Sequence, residues 1–335
     1  VSTYLTGGTA TSATMDAVTN AIASTMGNVT TVTDKTFTLD QGATASNASN
    51  ISCVGLGSNF VIGQGVLFPT TGEARVVTNF AASWFTLNMA LSAAPANNVN
   101  CTPGHTCYFD ESAAQRYVDF LALGKSAADQ RQGIGGVAGF SIKGTAPGEA
   151  PTVDWDIQVA DHRLVPTASL PTLSPATATE GGNPPTNKYL GGFYFADAGS
   201  QVARAALRAG QFAINPNITF QKLLDLNGVN GINGFLRNPQ GTGGPIAIEF
   251  TLAKDQDDIG LIDDFTNGTA KQVLIQFGTT QGGCAMVYCP KCYINKMPVD
   301  AALDNEAGTK ISLHADDNYV ASQEAFSSAM TITTF

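Results

Sequence analysis

Charge is scarce in this sequence. Only 13% of its residues are Asp, Glu, Lys or Arg, and the positive sign is the rarer, with 17 Lys and Arg against 27 Asp and Glu and a net charge of -10. Tight nucleic-acid binding neutralises phosphates with lysine and arginine, so this balance argues against a chain that holds DNA firmly. Long apolar runs are missing too. No stretch of about 18 apolar residues occurs, and a membrane-spanning helix is not expected. The opening residues, VSTYLTGGTATSATMDA, lack a basic region followed by an apolar stretch and do not read as a secretory signal. Cysteine is sparse: Cys53, Cys101 and Cys107 form one group, Cys284, Cys289 and Cys292 another. Each group has room for one disulfide, but six cysteines in 335 residues make no disulfide scaffold, and reduced, buried thiols are the expectation. Histidine is limited to His105, His162 and His314, which have no metal-ligand spacing and sit near no Gly-x-Ser-x-Gly elbow.

What is present is glycine, 35 residues of it, together with many Thr, Ser, Asn and Gln and a hydrophobic content of 43%. Turns are therefore frequent, the solvated surface relies on uncharged polar groups, and β-structure is favoured over helical bundles. The length admits one large or two medium cores. Asn-x-Ser/Thr triplets at Asn28, Asn47, Asn50, Asn217 and Asn267 need no explanation beyond chance in such a composition.

Along the chain, residues 1–40 read as an arm, part of a larger fold or of a contact between subunits. Met15, Val18, Ile22 and Met26 predict a short amphipathic helix there, and TTVTDKTFTLDQ an exposed strand. Residues 41–107 change to short strands bounded by Gly, Pro or Asn, in FVIGQGVLFP, GEARVVTN, SWFTLNMAL and NVNCTP, which predicts a separate small all-β barrel. In 108–335, DESAAQRYVDFLALGKSAADQRQ (110–132) reads as the strongest helix, and 165–192, with five prolines, as a long loop or extended arm. NITFQKLLDL, PIAIEFTLA, KQVLIQFGTT, CAMVYC, TKISLHAD and AMTITTF read as half-buried antiparallel strands, separated by Gly/Asn turns such as DLNGVNGINGF.

Motifs that carry chemistry are weak. CPKC with Cys284 supplies three thiols, but a structural zinc site needs four ligands and no second Cys-x-x-Cys exists. GIGGVA, with Gly133, Gly135 and Ala138, mimics a phosphate-cradling glycine motif, yet it follows a predicted helix and precedes a strand, and reads as a flexible connector. KDQDDIGLIDD (254–264) reads as a solvated acidic loop without the glycine and terminal glutamate of an EF-hand. No catalytic residue, cofactor or metal is called for.

The segment GFSIKGTAPGEAPTVDWDIQVAD (139–161) reads as two strands joined by a Gly/Pro turn. On the second, Val153, Trp155, Ile157 and Val159 alternate with Thr152, Asp154, Asp156 and Gln158, giving one apolar and one acidic face.

GVAGFSIKGTAPGEAPTVDWDIQVAD, NITFQKLLDLNGVNGINGFLRNPQGTGGPIAIEFTL and KQVLIQFGTTQGGCAMVYCPKCYI together resemble the tail tube proteins of long-tailed bacteriophages, and FVIGQGVLFPTTGEARVVTNFAASWFTLNMALSAAP is similar to the small β-domain some of them carry. The resemblance spans about two thirds of the chain; the proline-rich 165–192 stretch and the cysteines at 284–292 depart from it. It implies a mainly β, tail-tube-type antiparallel sandwich or barrel with a flanking helix. It also implies rings of six copies stacked into the hollow tube of a virion tail, assembled in the host cytoplasm and capped by other tail proteins, through which double-stranded DNA passes without specific binding. Under this reading Phe140, Ile142, Val153, Trp155 and Ile157 mark the strands at the ring interface. Asp154, Asp156 and Gln158 face an acidic lumen that repels the DNA. The N-terminal segment and the 165–192 arm are candidates for ring-to-ring contacts. Two other readings stand beside it: a secreted or cell-surface β-rich binding or adhesion protein, suggested by low charge, Thr/Asn richness and cysteines, and a hydrolase using acidic pairs such as Asp257 and Asp258.

Overall fold

The computed structural model describes residues 2–5, 15, 17–30, 37–39, 47–53, 60–110, 117–122, 131–144, 150–164, 190–201, 209–229, 231–238, 246–253, 258–303, 306–318 and 328–335. Among the described residues the protein is mainly β, with 61% strand and two helices. Most of the 165–192 stretch, the turn at 145–149 and Asp257 lie outside the described residues.

The chain enters on β1 (Ser2–Tyr4), helix α1 (Ala17–Met26) and β2 (Gly27–Thr30). The next strands are β3 (Phe37–Thr38), β4 (Asn50–Ser52), β5 (Gly65–Phe68), β6 (Glu73–Ala81), β7 (Trp84–Leu87) and β8 (Asn100–Pro103). They form one six-stranded sheet in the order β3-β8-β5-β6-β7-β4. Then come β9 (His105–Phe109), β10 (Val118–Ala122), β11 (Arg131–Gly144), β12 (Thr152–Gln158), β13 (Asp161–Leu164), β14 (Leu190–Asp197) and β15 (Ala209–Asn215). The hairpin β16 (Thr219–Val229) and β17 (Ile232–Asn238) precedes β18 (Ile246–Ala253), helix α2 (Asp258–Asn267), β19 (Lys271–Phe277), β20 (Ala285–Leu303), β21 (Glu306–Ala315) and β22 (Thr331–Thr334). The large sheet runs β1-β12-β11-β15-β18-β21-β20-β22-β9-β2, with β10 and β13 on β11 and the pair β14-β19 on β20.

Alternation explains the core. Phe140, Ile142, Val153, Phe212, Ile214, Ile248, Phe250, Ile311 and Leu313 turn to one side of their strands and pack together with α1, whose Ile22, Ala23 and Met26 are fully buried. The helix expected from Met15, Val18, Ile22 and Met26 is therefore present, and it closes the main core. The N-terminal arm folds onto its own chain: β1 extends the sheet beside β12, and β2 pairs β9.

The small module has its own core of Leu39, Ile51, Phe60, Val66, Phe68, Val77, Phe85 and Leu87. Its limits shift from those expected, because Phe37 and Thr38 already pair with Cys101 and Asn100, while β9 belongs to the large sheet. Nor does it stand apart. Leu67, Ala74, Val76 and Met89 share a third cluster with Leu274, Met286, Tyr288 and Phe335. The buried Gln276 accepts a hydrogen bond from Ala74 N at 2.8 Å and donates to Gly72 O at 2.6 Å. Arg75, 1% exposed, lies 4.1 Å from the Tyr194 ring centroid and pairs with Glu73 at 2.7 Å. At Gly65 the two sheets touch so closely that a Cβ would sit 2.5 Å from Thr333 Oγ1.

Three expectations are overturned. The helix over 110–132 is absent at 118–122 and 131–132, where β10 pairs with the start of β11, Ala122 opposite Arg131. The apolar spacing there suits either structure, and the unfilled ladder of β11 decides it. GIGGVA is no flexible connector but part of β11, with Gly133 opposite both Phe120 and His162. A Cβ on Gly133 would come within 2.6 Å of Val159 Cγ1, so the glycine permits close packing instead of motion. The acidic loop at 254–264 is helical from Asp258, and Leu261, 2% exposed, anchors it.

Candidate assembly surface

The expected hairpin is real. β11 and β12 pair antiparallel from Val137 opposite Gln158 to Lys143 opposite Thr152. Phe140, Ile142 and Val153 are 5%, 0% and 0% exposed, and Trp155 tilts over Phe140 with ring centroids 5.8 Å apart. These side chains serve the core of their own subunit, and Ile157 is half-buried. Any interface role at this hairpin falls to backbone edges. There β11 is flanked by β12 on one side and β15 on the other, and β1 already covers Thr152 to Asp154 of β12.

Asp154, Asp156 and Gln158 do lie on the face opposite the core, half-buried, exposed and half-buried respectively. Their surroundings are not acidic. The ladder places Lys143, Glu249, Ser312, Lys310 and Lys296 on the same face through β15, β18, β21 and β20. Lys143 Nζ lies 2.7 Å from Asp154 Oδ2, and Lys310 Nζ 3.0 Å from Glu249 Oε2. The hydrogen bond from Lys310 holds the Glu249 carboxyl below its ordinary value of 4.5, with further help from Ser312 and Lys296. Among the residues named, three lysines and three carboxylates share this face, and the acidic wall visible on β12 alone becomes a charge-paired surface. A shallow depression bounded by Lys143, Gln211, Phe212, Glu249, Thr251 and Lys310 lies between the pairs.

Two strands inside the large sheet, β12 and β20, outrun their neighbours on one side. At one, Ile157 and Gln158 of β12 lie beyond the reach of β1. At the other, β20 is held by β22 up to Tyr288, by β19 up to Cys292 and by β21 from Cys292 to Leu303. β19 and β21 are on opposite sides of Cys292, so the β19 side of the strand has no described strand partner along the final stretch. Met297 and Val299 on that stretch are each 56% exposed, and the register slips beside both Ile294 and Val299.

Sequence reading missed one feature. The hairpin β16-β17 forms a two-stranded sheet of its own and exposes Leu223, Leu224, Leu226 and Leu236, with Leu224 78% exposed and Leu226 fully so. Its footing is Phe235, 2% exposed, whose N–H donates to Tyr117 Oη at 3.3 Å. Two-stranded hairpins are marginal alone in water, and leucines are not normally displayed in a group. KLLDL carries the signal, since a strand buried on one face would alternate and this one does not.

The six cysteines are free and buried. Burial raises the Cys53 thiol to about 11 and the Cys284 thiol to about 12, and pushes Cys101 and Cys292 up as well. Among the described residues no group of three or more His, Cys, Asp or Glu is placed to hold a metal ion, and no helix is long and apolar enough to cross a membrane. His105 is buried in β9, His162 exposed in β13, and His314 stacks near Tyr293, so the three are not brought together. Asp258 is the first residue of α2, and Asp257 lies outside the described residues. Compared with protein-family models and with curated proteins, the chain matches none.

Proposed function

We propose that this chain is a structural protein of a bacteriophage tail, which closes into rings by sheet-edge pairing and stacks those rings into a DNA-conducting tube. The observation that carries the reading is a pair of unlike strand edges without a described strand partner: the short stretch of β12 past β1 and the long flank of β20 after Cys292. Unlike edges meet head to tail, and a head-to-tail contact that closes gives a ring. An exposed, apolar edge left open in a monomer is an aggregation hazard, which neighbours in a closed barrel remove.

The charge-paired face then lines the bore. It carries no surplus of lysine to neutralise phosphate, so duplex DNA finds no electrostatic foothold there, and the net charge of -10 keeps the whole chain from retaining it. The exposed leucines of β16-β17 suit the contact between one ring and the next. Ring number six comes from the family resemblance.

Negative-stain microscopy of the purified protein tests this. Stacked rings or hollow fibres are expected, and isolated monomers at high concentration refute it. Met297→Asp with Val299→Asp puts two charges on the exposed edge and should abolish rings while the monomer melts within a few degrees of the parent, since exposed substitutions stay within about 0.5 kcal/mol.

A further inference from the structure

Lys271 is a primary amine sealed inside the protein. It opens β19, its residue is 1% exposed, and its Nζ lies 5.7 Å from the Phe195 ring centroid. Two carboxylates meet it. Asp197, directly opposite in the β14-β19 ladder, is 2.5 Å from Nζ through Oδ1, and Asp264, near the end of α2, is 2.7 Å away through Oδ2. The two differ in setting: the Asp197 side chain is 62% exposed and that of Asp264 only 12%. Around them the chain is tightly tied, with Thr269 N donating to Asp264 O at 2.9 Å and Ala198 N to Ala270 O at 2.9 Å.

We propose that Lys271 Nζ condenses with the Asp264 carboxyl to form an intramolecular amide cross-link between β19 and α2, with Asp197 carrying the proton. An ammonium and a carboxylate buried together bear a desolvation penalty that their attraction only partly returns. A neutral amide abolishes both charges, and burial excludes the water that would reverse the step. Asp197 is touching the amine yet open to solvent, which suits a group that must take up and release a proton.

The step balances without an oxidant or co-reactant. The ammonium first passes a proton across the 2.7 Å contact to Asp264, giving a free amine and a carboxylic acid. The nitrogen lone pair attacks Asp264 Cγ, and Asp197 takes a proton from the nitrogen of the tetrahedral adduct. It returns that proton to the departing hydroxyl, the C–O bond breaks, and one water leaves. Of the three ammonium hydrogens, one stays on the amide and two leave with one carboxyl oxygen. Asp197 ends as it began.

Intact mass of the full chain under denaturing conditions tests the assignment, whatever the assembly state. The expected mass is lower than that of the sequence by one water, with a branched peptide joining Lys271 to Asp264 and no tryptic cleavage after Lys271. Lys271→Arg keeps the charge toward both carboxylates but removes the nucleophile, and should restore the full mass. Full sequence mass with a free Lys271 peptide in the parent overturns the proposal. So does water loss that persists in Lys271→Arg, and a branch found on Asp197 overturns the assigned roles.

Discussion

Replacing Gln276 by leucine asks how firmly the small β-module is joined to the large sheet. Gln276 is fully buried on β19, and its amide reaches across the boundary, accepting from Ala74 N at 2.8 Å and donating to Gly72 O at 2.6 Å. A third bond, to Gly278 O at 2.8 Å, stays within its own turn. Leucine has nearly the same volume and none of these groups, so one buried donor and two buried acceptors lose their partner. Each such orphan costs about 1–3 kcal/mol, while the added apolar burial returns about 1 kcal/mol, leaving a net loss of roughly 2–8 kcal/mol. That is a large share of the 5–15 kcal/mol typical of folded domains. The two tryptophans make the outcome readable, because Trp84 lies on β7 in the module and Trp155 on β12 in the large sheet. Urea unfolding followed by fluorescence in Trp84→Phe and Trp155→Phe backgrounds should give coincident transitions for the parent. With Gln276→Leu the transitions should fall to lower urea and separate, the module holding together on its own core. A shift below about 1 kcal/mol with transitions still coincident would refute the view that this amide joins the two cores.

Three further outcomes are expected. Because burial raises Cys53 to about 11 and Cys284 to about 12, a thiol-specific reagent at pH 8 should leave native protein almost unlabelled and modify all six cysteines once it is unfolded; rapid native labelling would contradict their burial. The Glu249 carboxyl is depressed below 4.5, so its contribution is complete above that pH and is lost as pH falls through the folded value. Lys310→Met should therefore lower the urea midpoint slightly at neutral pH and leave it nearly unchanged well below pH 4.5, where Glu249 is protonated with or without the lysine, so that the acid side of the profile flattens. Leu224→Asp with Leu226→Asp should stop fibre growth and leave rings, counted by microscopy and sedimentation; fibres of parental length would remove the hairpin from the stacking contact.

The elements most legible in the sequence were those whose period and burial agree. Ile246, Ile248, Phe250 and Leu252 alternate with polar or small residues, and β18 lies half in the core as that pattern requires. The α1 helix was legible through Met15, Val18, Ile22 and Met26 for the same reason. The region 110–132 was not, because its apolar spacing fits a helix as well as a strand and the choice fell to an open ladder on β11. The face of Asp154 and Asp156 was located correctly but its charge was misjudged, since one strand cannot report which lysines its neighbours will bring.

Local chemistry thus decided that this protein would be β-rich, that its cysteines would stay buried and reduced, and that the strands after residue 245 would alternate. Those properties follow from side-chain size, polarity and position along an extended chain, all of which are local. The joining of the module by Gln276 and Arg75, the pairing of Lys143 with Asp154, and the meeting of Lys271 with Asp264 and Asp197 were decided only by folding. Each depends on the register and bend of strands far apart in sequence, and register is set when sheets pack, not when residues are chosen one by one.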